Sequence, residues 1–490
     1  MKSHTRAPAA AGVAGFDLLR RSPFPSLLCA ALFACAAMPA ASLASVPSGK
    51  RGSKTHHKSK PKIVPSEVAL TSQLTSTPGA TVTMAPVGLS MEYPLMAQDL
   101  GSGPCPAPAL AAELVRLGSP PLQLAGVSQD LTAPNGALAG LPSSWETSTL
   151  YTLTPNFWSQ LHCLLLSSKD PLTVGLNVRT GNTAWATQMA AEATTAATAG
   201  LSFSLGNEPD LYPLPNYAAL DKPFAGEEAA ASNLYLQLAG NLAPATQGAP
   251  LVGPELSRPA NWRAQLPRVI QALHLQTVGV HSYPLTACST PRAVTIGGLL
   301  SQEAATYPTR LGWVVSDASA AGLTAIISEA NSASCGGLAG VSDSPAAAVW
   351  AVRFVVSALK TGFREVRFHF SGDPYDPFVV RGAEVLTRPL ESALVALNQW
   401  LPVGSTLRSI AGVRELAATA VGEPNGQALL ILDNAQAKAR PVVVRGASSV
   451  QIQVFTPAVA GVQSLVLPSR AGAVKFSLAS NSVVAISSAP

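Results

Sequence analysis

Two glutamates close short apolar runs in this chain. Leu201-Ser-Phe-Ser-Leu205 reads as a buried strand, stops at Gly206, and is followed by Asn207-Glu208-Pro209. Pro209 is expected to hold Glu208 extended, because a residue before proline avoids helical backbone. Leu323-Thr-Ala-Ile-Ile-Ser328 is a second β-rich run and ends on Glu329, 121 residues further on. Two carboxylates facing each other about 5–5.5 Å apart can cleave a glycosidic bond by double displacement. One attacks the anomeric carbon, while the other gives and later takes a proton. The anion of one is then expected to raise the pKa of the other.

Such a pair needs a scaffold that brings two strand ends together. Short apolar strands fit Val87–Ser90, Leu122–Gly126, Thr173–Val178, Leu201–Leu205, Leu251–Gly253, Thr277–His281, Leu323–Ser328 and Glu365–Phe370. Ala- and Leu-rich stretches of helical period lie between most of them, for example Ala184–Thr198 and Ala346–Lys360. Eight such units imply an α/β fold, a (β/α)8 TIM barrel, whose chemistry sits at the carboxyl ends of the strands. Those ends carry Glu92, Tyr93, Ser128, Asp130, Asn177, Arg179, Asn207, Glu208, Glu255, His281, Tyr283, Glu329, His369 and, further on, Tyr375. Carboxylates, amides and aromatic rings converging on one face suit a carbohydrate pocket. Asp130 and Glu92 serve equally well as helix N-caps, and His369 reads as a structural residue.

From about Glu391 the pattern becomes short strands joined by Gly, Pro and Asn turns, as in Ala428–Leu432, Pro441–Val444, Val450–Phe455, Gly472–Phe476 and Ser482–Ile486. This reads as an accessory antiparallel β-sandwich. Val68–Thr75 and Ala80–Met84 look like an antiparallel pair that completes it. The expected division is therefore residues 66–86 for the joining strands, 87–390 for the barrel and 391–490 for the sandwich.

The 490 residues are 47% hydrophobic and 12% charged, a composition that folds. Their net charge of +5 is misleading. Ten Lys and Arg and one acid fall in residues 1–62, leaving 22 basic against 26 acidic residues, a net of −4. That balance excludes the basic footprint of a nucleic-acid-binding protein. Residues 1–44 read as an export signal, with Arg20-Arg21, an apolar run from Leu27 to Ala37, and cleavage after Ser42-Leu43-Ala44. A second reading takes Leu32-Phe33-Ala34-Cys35 as a lipoprotein signal with lipid on Cys35. Residues 45–65 look like a flexible basic linker. A secreted or cell-envelope location follows, with no membrane span.

Cys105, Cys163, Cys288 and Cys335 remain after the signal, and in an exported chain they suggest two disulfides. Of three connectivities, Cys105–Cys163 and Cys288–Cys335 join segments after neighbouring barrel strands. No Cys or His spacing supports a metal site, and no cofactor motif is present.

Gly206-Asn-Glu-Pro-Asp210 together with Ser328-Glu-Ala-Asn-Ser-Ala-Ser-Cys-Gly-Gly337 resembles glycoside hydrolase family 79, the β-glucuronidase and heparanase family. Gly88–Pro94, His281-Ser-Tyr-Pro284 and Gly340-Val-Ser-Asp343 strengthen the resemblance, which covers Val68 to the C-terminus. It implies Glu208 as acid/base, Glu329 as nucleophile and Tyr283 as the hydrogen-bond donor to it. It further implies Asn207 on the sugar 2-OH, Glu92 and Asp130 near other hydroxyls, and Gly336 and Tyr375 on a uronate carboxylate. The implied activity is a retaining exo-β-glucuronidase. An endo-acting heparanase-like enzyme and an inactive carbohydrate-binding barrel are the alternatives.

Overall fold

The computed structural model describes residues 65–70, 79–136, 151–212, 228–288, 291–410 and 413–488. The expected signal and nearly all of the basic linker lie outside these residues. Two N-terminal strands, Ser66–Ala69 (β1) and Ala80–Thr81 (β2), precede eight parallel strands that close into a barrel. The barrel strands are Val87–Glu92 (β3), Leu122–Ala125 (β4), Leu172–Leu176 (β5), Leu201–Leu205 (β6), Leu251–Leu256 (β7), Thr277–Ser282 (β8), Thr324–Ala330 (β9) and Val366–Phe370 (β10). Each agrees with an expected run to within a few residues. Nearly every position in them is buried, as parallel strands covered on both faces require.

The principal helices are Tyr93–Leu100 (α1), Pro108–Arg116 (α2), Phe157–Ser168 (α3), Thr183–Ala196 (α4), Glu228–Leu242 (α5), Leu266–Ala272 (α6), Gly312–Ala320 (α7), Pro345–Thr361 (α8) and Pro389–Trp400 (α9). Proline opens α2, α8 and α9, where its missing N–H has no intrahelical partner to lose. Helix α8 is buried almost all round because it is covered on two sides, by the barrel and by the C-terminal sheet. Arg353 on it pairs with Asp433 at 2.6 Å.

Helix α9 corrects the expected boundary at residue 391. Leu390, Ala393, Leu394, Leu397 and Trp400 recur at helical spacing and are buried, so the last barrel helix runs through that point. The C-terminal strands are Thr406–Ile410 (β11), Ala417–Gly422 (β12), Ala428–Asn434 (β13), Arg440–Arg445 (β14), Ser449–Thr456 (β15), Val459–Pro468 (β16), Ala473–Leu478 (β17) and Ser482–Ser488 (β18). They form a seven-stranded sheet, β2-β11-β12-β13-β18-β15-β16, and a three-stranded one, β1-β14-β17.

The two N-terminal strands are not a hairpin. β1 pairs in parallel with β14, and β2 pairs antiparallel with β11. Val68 of β1 enters the sandwich core beside Val442 and Val444, a burial that pairing with β2 would not supply. Along β13 the side chains alternate between two cores. Leu429 and Ile431 face the barrel, while Leu430 and Leu432 face the three-stranded sheet. Among the described residues no helix is long and apolar enough to cross a membrane.

Candidate active site

Glu208 and Glu329 meet at the carboxyl end of the barrel, one beyond β6 and the other within β9. Glu208 is not extended. Its φ of 49° and ψ of 52° are left-handed, and the segment turns directly into the short helical turn Pro209–Leu211. Two main-chain bonds outweigh the preference imposed by Pro209. The Glu208 N–H donates to the Glu255 carbonyl at 2.9 Å, and the Glu208 carbonyl accepts from Leu211 N–H at 2.8 Å. Left-handed backbone costs a non-glycine residue about 1–3 kcal/mol and persists where its surroundings fix it.

His281, from β8, stands between the two acids. Its Nδ1 is 3.1 Å from Glu208 Oε1 and 3.5 Å from Glu329 Oε1, while Nε2 is 3.4 Å from Oε2 of the buried Glu255. An oxygen of Glu208, a nitrogen of His281 and an oxygen of Glu329 all lie within 4.8 Å of one another. Burial alone would lower the imidazole pKa. The charge of Glu329, the hydrogen bond to Glu208 and the nearby carboxylate of Glu255 outweigh it and hold that pKa well above 6.5. Burial alone would likewise raise Glu208, but the hydrogen bond and charge of His281 hold its pKa below 4.5. The expectation of a raised Glu208 is thus reversed, because the imidazole beside it stabilises the ionised carboxylate. The surrounding charges therefore favour the proton on His281 over Glu208.

Tyr283 donates its hydroxyl proton to Glu329 Oε1 at 2.8 Å. On the other side His369 Nδ1 is 3.5 Å from Glu329 Oε2, and its Nε2 is 3.5 Å from Glu92 Oε1. The Glu329 charge and a hydrogen bond to Glu92 overcome the effect of burial and push the pKa of His369 up to about 9. His369 therefore lines the cavity between Glu329 and Glu92. Glu92 lines the same cavity, but its carboxylate is held by the N–H groups of Val127 and Ser128, at 3.0 and 2.7 Å.

Asp130 does not face the cavity. It is fully buried and accepts from the main-chain N–H groups of Val178, Arg179 and Asn207 and from the Tyr212 hydroxyl. The expectation that it touches a sugar hydroxyl fails because every direction of the carboxylate is taken. Asn207 sits beneath Glu208, with its Oδ1 buried and unpartnered among the described residues.

Gly336 and Tyr375 lie on one wall of a cavity of about 920 Å³ that also contains both glutamates. Gly336 has a φ of 80°, and a Cβ there would stand 2.6 Å from Asp373 Cγ, so glycine is required. Ser371 Oγ is 2.6 Å from Asp373 Oδ2 and 2.9 Å from the Tyr375 hydroxyl. Ser371 is the donor in both contacts, its one hydroxyl proton shared between the carboxylate and the Tyr375 oxygen. Ser371 and Asp373 follow β10 by only a few residues. Extending the strand-end rule through Asp373-Pro-Tyr375 would have found them. Arg258 and Trp313 also line the cavity and carry no signal in sequence.

The structure joins Cys288 to Cys335, both on the cavity wall, and Cys105 to Cys163. Cys163 lies within α3 and not in a loop.

No protein-family model matches the chain. No curated protein matches it either. Solved structures do. A 4-O-α-L-rhamnosyl-β-D-glucuronidase from Fusarium oxysporum 12S superposes with a TM-score of 0.64 at 19% identity, over 86% of this chain and 100% of that one. A GH51 arabinofuranosidase from Xanthomonas axonopodis pv. citri gives 0.60 at 13% identity, over 84% and 97%. A GH30 endoxylanase from Clostridium papyrosolvens C71 gives 0.53 at 12%, over 87% and 100%. The fold of this chain is the barrel with attached β-sheets of these glycoside hydrolases.

Proposed function

We infer that the chain is a retaining β-glycosidase. The observation that carries this reading is the approach of Glu208 and Glu329 oxygens to within 4.8 Å. An inverting enzyme needs its carboxyl groups about 6.5–9.5 Å apart to admit a water between them. In the proposed reaction a Glu329 oxygen bonds to the anomeric carbon as the bond from that carbon to the leaving oxygen breaks. The proton shared by Glu208 and His281 passes through Glu208 to the leaving oxygen. Water then bonds to the anomeric carbon, gives its proton to Glu208, and frees Glu329. Tyr283 fixes which Glu329 oxygen is free to attack. The resemblance to glycoside hydrolase family 79 assigns Asn207 to the sugar 2-OH.

For the glycon, the resemblance to glycoside hydrolase family 79 and the placing of Gly336 and Tyr375 on one wall favour a β-D-glucuronide, cleaved in exo fashion. The rhamnosyl-glucuronidase among the structural neighbours agrees with this. A neutral β-glycoside is a second reading, favoured by Asp373. No cation pairs with that side chain among the described residues, and it would repel a uronate at this wall.

The test is hydrolysis of aryl β-glucuronide, β-glucoside, β-galactoside and β-xyloside by the purified protein, with product stereochemistry followed by NMR. Release with retained configuration, lost in Glu329→Ala, supports the reading. Full activity in Glu329→Ala or an inverted product overturns it. Turnover of a neutral glycoside alone discards the uronate clamp and keeps the carboxylate pair.

A further inference from the structure

Glu255 is a third carboxylate beneath the pair, and the reaction above gives it no part. It lies in β7, fully buried, with a left-handed φ of 58°. Three contacts leave it. Its main-chain carbonyl receives the N–H of Glu208 at 2.9 Å. Its Oε2 accepts the hydroxyl of Ser328, the residue before Glu329, and lies 3.4 Å from His281 Nε2. Its Oε1 has no hydrogen-bond partner among the described residues. The chain reserves room for it, since a Cβ on Gly279 would stand 2.9 Å from Oε1 and equally close to Ser328 Oγ. Such contacts are shorter than carbon and oxygen tolerate, so glycine at 279 and a buried acid at 255 go together.

A buried carboxylate costs several kcal/mol unless a cation and hydrogen bonds compensate it. The cation against Glu255 is His281. We propose that Glu255 is a positioning residue that keeps His281 doubly protonated, with Nδ1–H directed at Glu208, and so fixes where the proton needed by the leaving group is stored. Three carboxylates face the imidazole directly, those of Glu208, Glu255 and Glu329, with Asp210 behind Glu208, while the His369 imidazole opposes its charge. Glu329 loses its charge when it is esterified, and Glu208 changes protonation in each half-reaction. Glu255 reacts in neither, so it is the counter-charge that stays constant through the cycle. The kinetic consequence rests on the retaining reading, but the protonation of His281 does not.

The experiment is NMR of the full chain labelled with 15N-histidine, with the His281 ring signals assigned through His281→Asn. In the wild type both ring nitrogens are expected to carry protons at pH 7. In Glu255→Gln, which keeps the shape and loses the charge, the ring is expected to titrate at least one pH unit lower. Glu255→Asp, which keeps the charge, is expected to restore most of that shift. The alkaline limb of kcat/KM on the best aryl glycoside should move with the ring, whereas a merely structural change lowers the rate evenly at all pH. A neutral His281 at pH 7 in the wild type, or an unmoved titration in Glu255→Gln, overturns the proposal. Where Glu255→Gln does not fold, the wild-type spectrum and Glu255→Asp decide. A displaced ring titration without turnover of any glycoside retains the proposal and removes the glycosidase reading.

Discussion

Asp130 accepts the main-chain N–H of Asn207 over 3.0 Å. It therefore acts on the site through the turn that carries Glu208, and not by touching substrate. Asp130→Ala would orphan the buried N–H groups of Val178, Arg179 and Asn207 and the Tyr212 hydroxyl, each costing about 1–3 kcal/mol. The expected outcome is a large loss of stability in denaturant titration. In whatever fraction folds, kcat should fall and KM should stay within a few-fold. A loss confined to KM would instead return Asp130 to the sugar.

Tyr283→Phe removes one hydrogen bond to an ionised group. Such bonds contribute about 1.5–3 kcal/mol, so kcat/KM is expected to fall about 10- to 150-fold. Burial, followed by the Glu329 charge, raises the phenol pKa well above 10, so the tyrosine remains a donor throughout the working range. The loss should accordingly be the same at pH 5 and pH 8. A pH-dependent loss would show that the phenol exchanges its proton.

Several buried acids make folding stability depend on pH in an unusual sense. Burial raises Asp170, Asp210 and Asp376 from 3.8 to about 6, and Asp99 to about 7. A carboxyl group with a raised native pKa binds protons more tightly when folded. Its effect is most favourable below about pH 4 and is lost as the pH climbs through 6 to 7. His369, raised from 6.5 to about 9, contributes stability below pH 6.5 that is lost as the pH rises through 9. Glu208, whose pKa is lowered, acts in the opposite sense only below its usual 4.5. Melting temperature is therefore expected to be highest near pH 4 and to fall steadily to pH 9. A maximum at pH 8 would contradict these shifts.

The barrel floor gives a separate test. Arg367 Nε pairs with Glu365 Oε1 at 2.8 Å, and its Nη1 donates to Gln123 and Thr173, all of them buried. Removing one partner of a buried pair costs about 3–5 kcal/mol, whereas replacing both by apolar groups is often nearly neutral. Arg367→Met alone should lower stability by that amount, and adding Glu365→Leu should recover most of it. Activity in the double variant should persist, because the pair lies at the end of the barrel away from Glu208 and Glu329.

The barrel was legible because parallel strands buried on both faces are short apolar runs, and each ends where a polar residue appears. The pair of glutamates followed from that rule alone. Residue roles were less legible. Asp130 and Glu92 share a strand-end position, yet one is enclosed by main-chain donors and the other opens on the cavity, a difference set by loop conformation. The left-handed Glu208 depends on the carbonyl of Glu255, 47 residues away, which no local preference reports. Helix α9 was missed because its apolar residues adjoin a strand-rich region. The parting of β1 and β2 depends on a core that neither strand contains.

Asp373 decides what the wall at Gly336 accepts. Its carboxylate stands beside Gly336 and shares the Ser371 hydroxyl with the Tyr375 oxygen, so an incoming anion meets a negative charge at this wall. Asp373→Asn keeps the size of the side chain and removes its charge. The ratio of kcat/KM for aryl β-glucuronide over aryl β-glucoside is then expected to rise at least tenfold, with most of the change in the KM for the glucuronide. The glucoside rate should change little, because a hydroxymethyl group carries no charge to repel. An unchanged ratio would place the C5 substituent of the sugar elsewhere in the cavity and detach Gly336 and Tyr375 from glycon selection. A rise in both rates together would instead mean that Asp373 acts on Glu329, whose negative charge it shares a wall with, and not on the sugar.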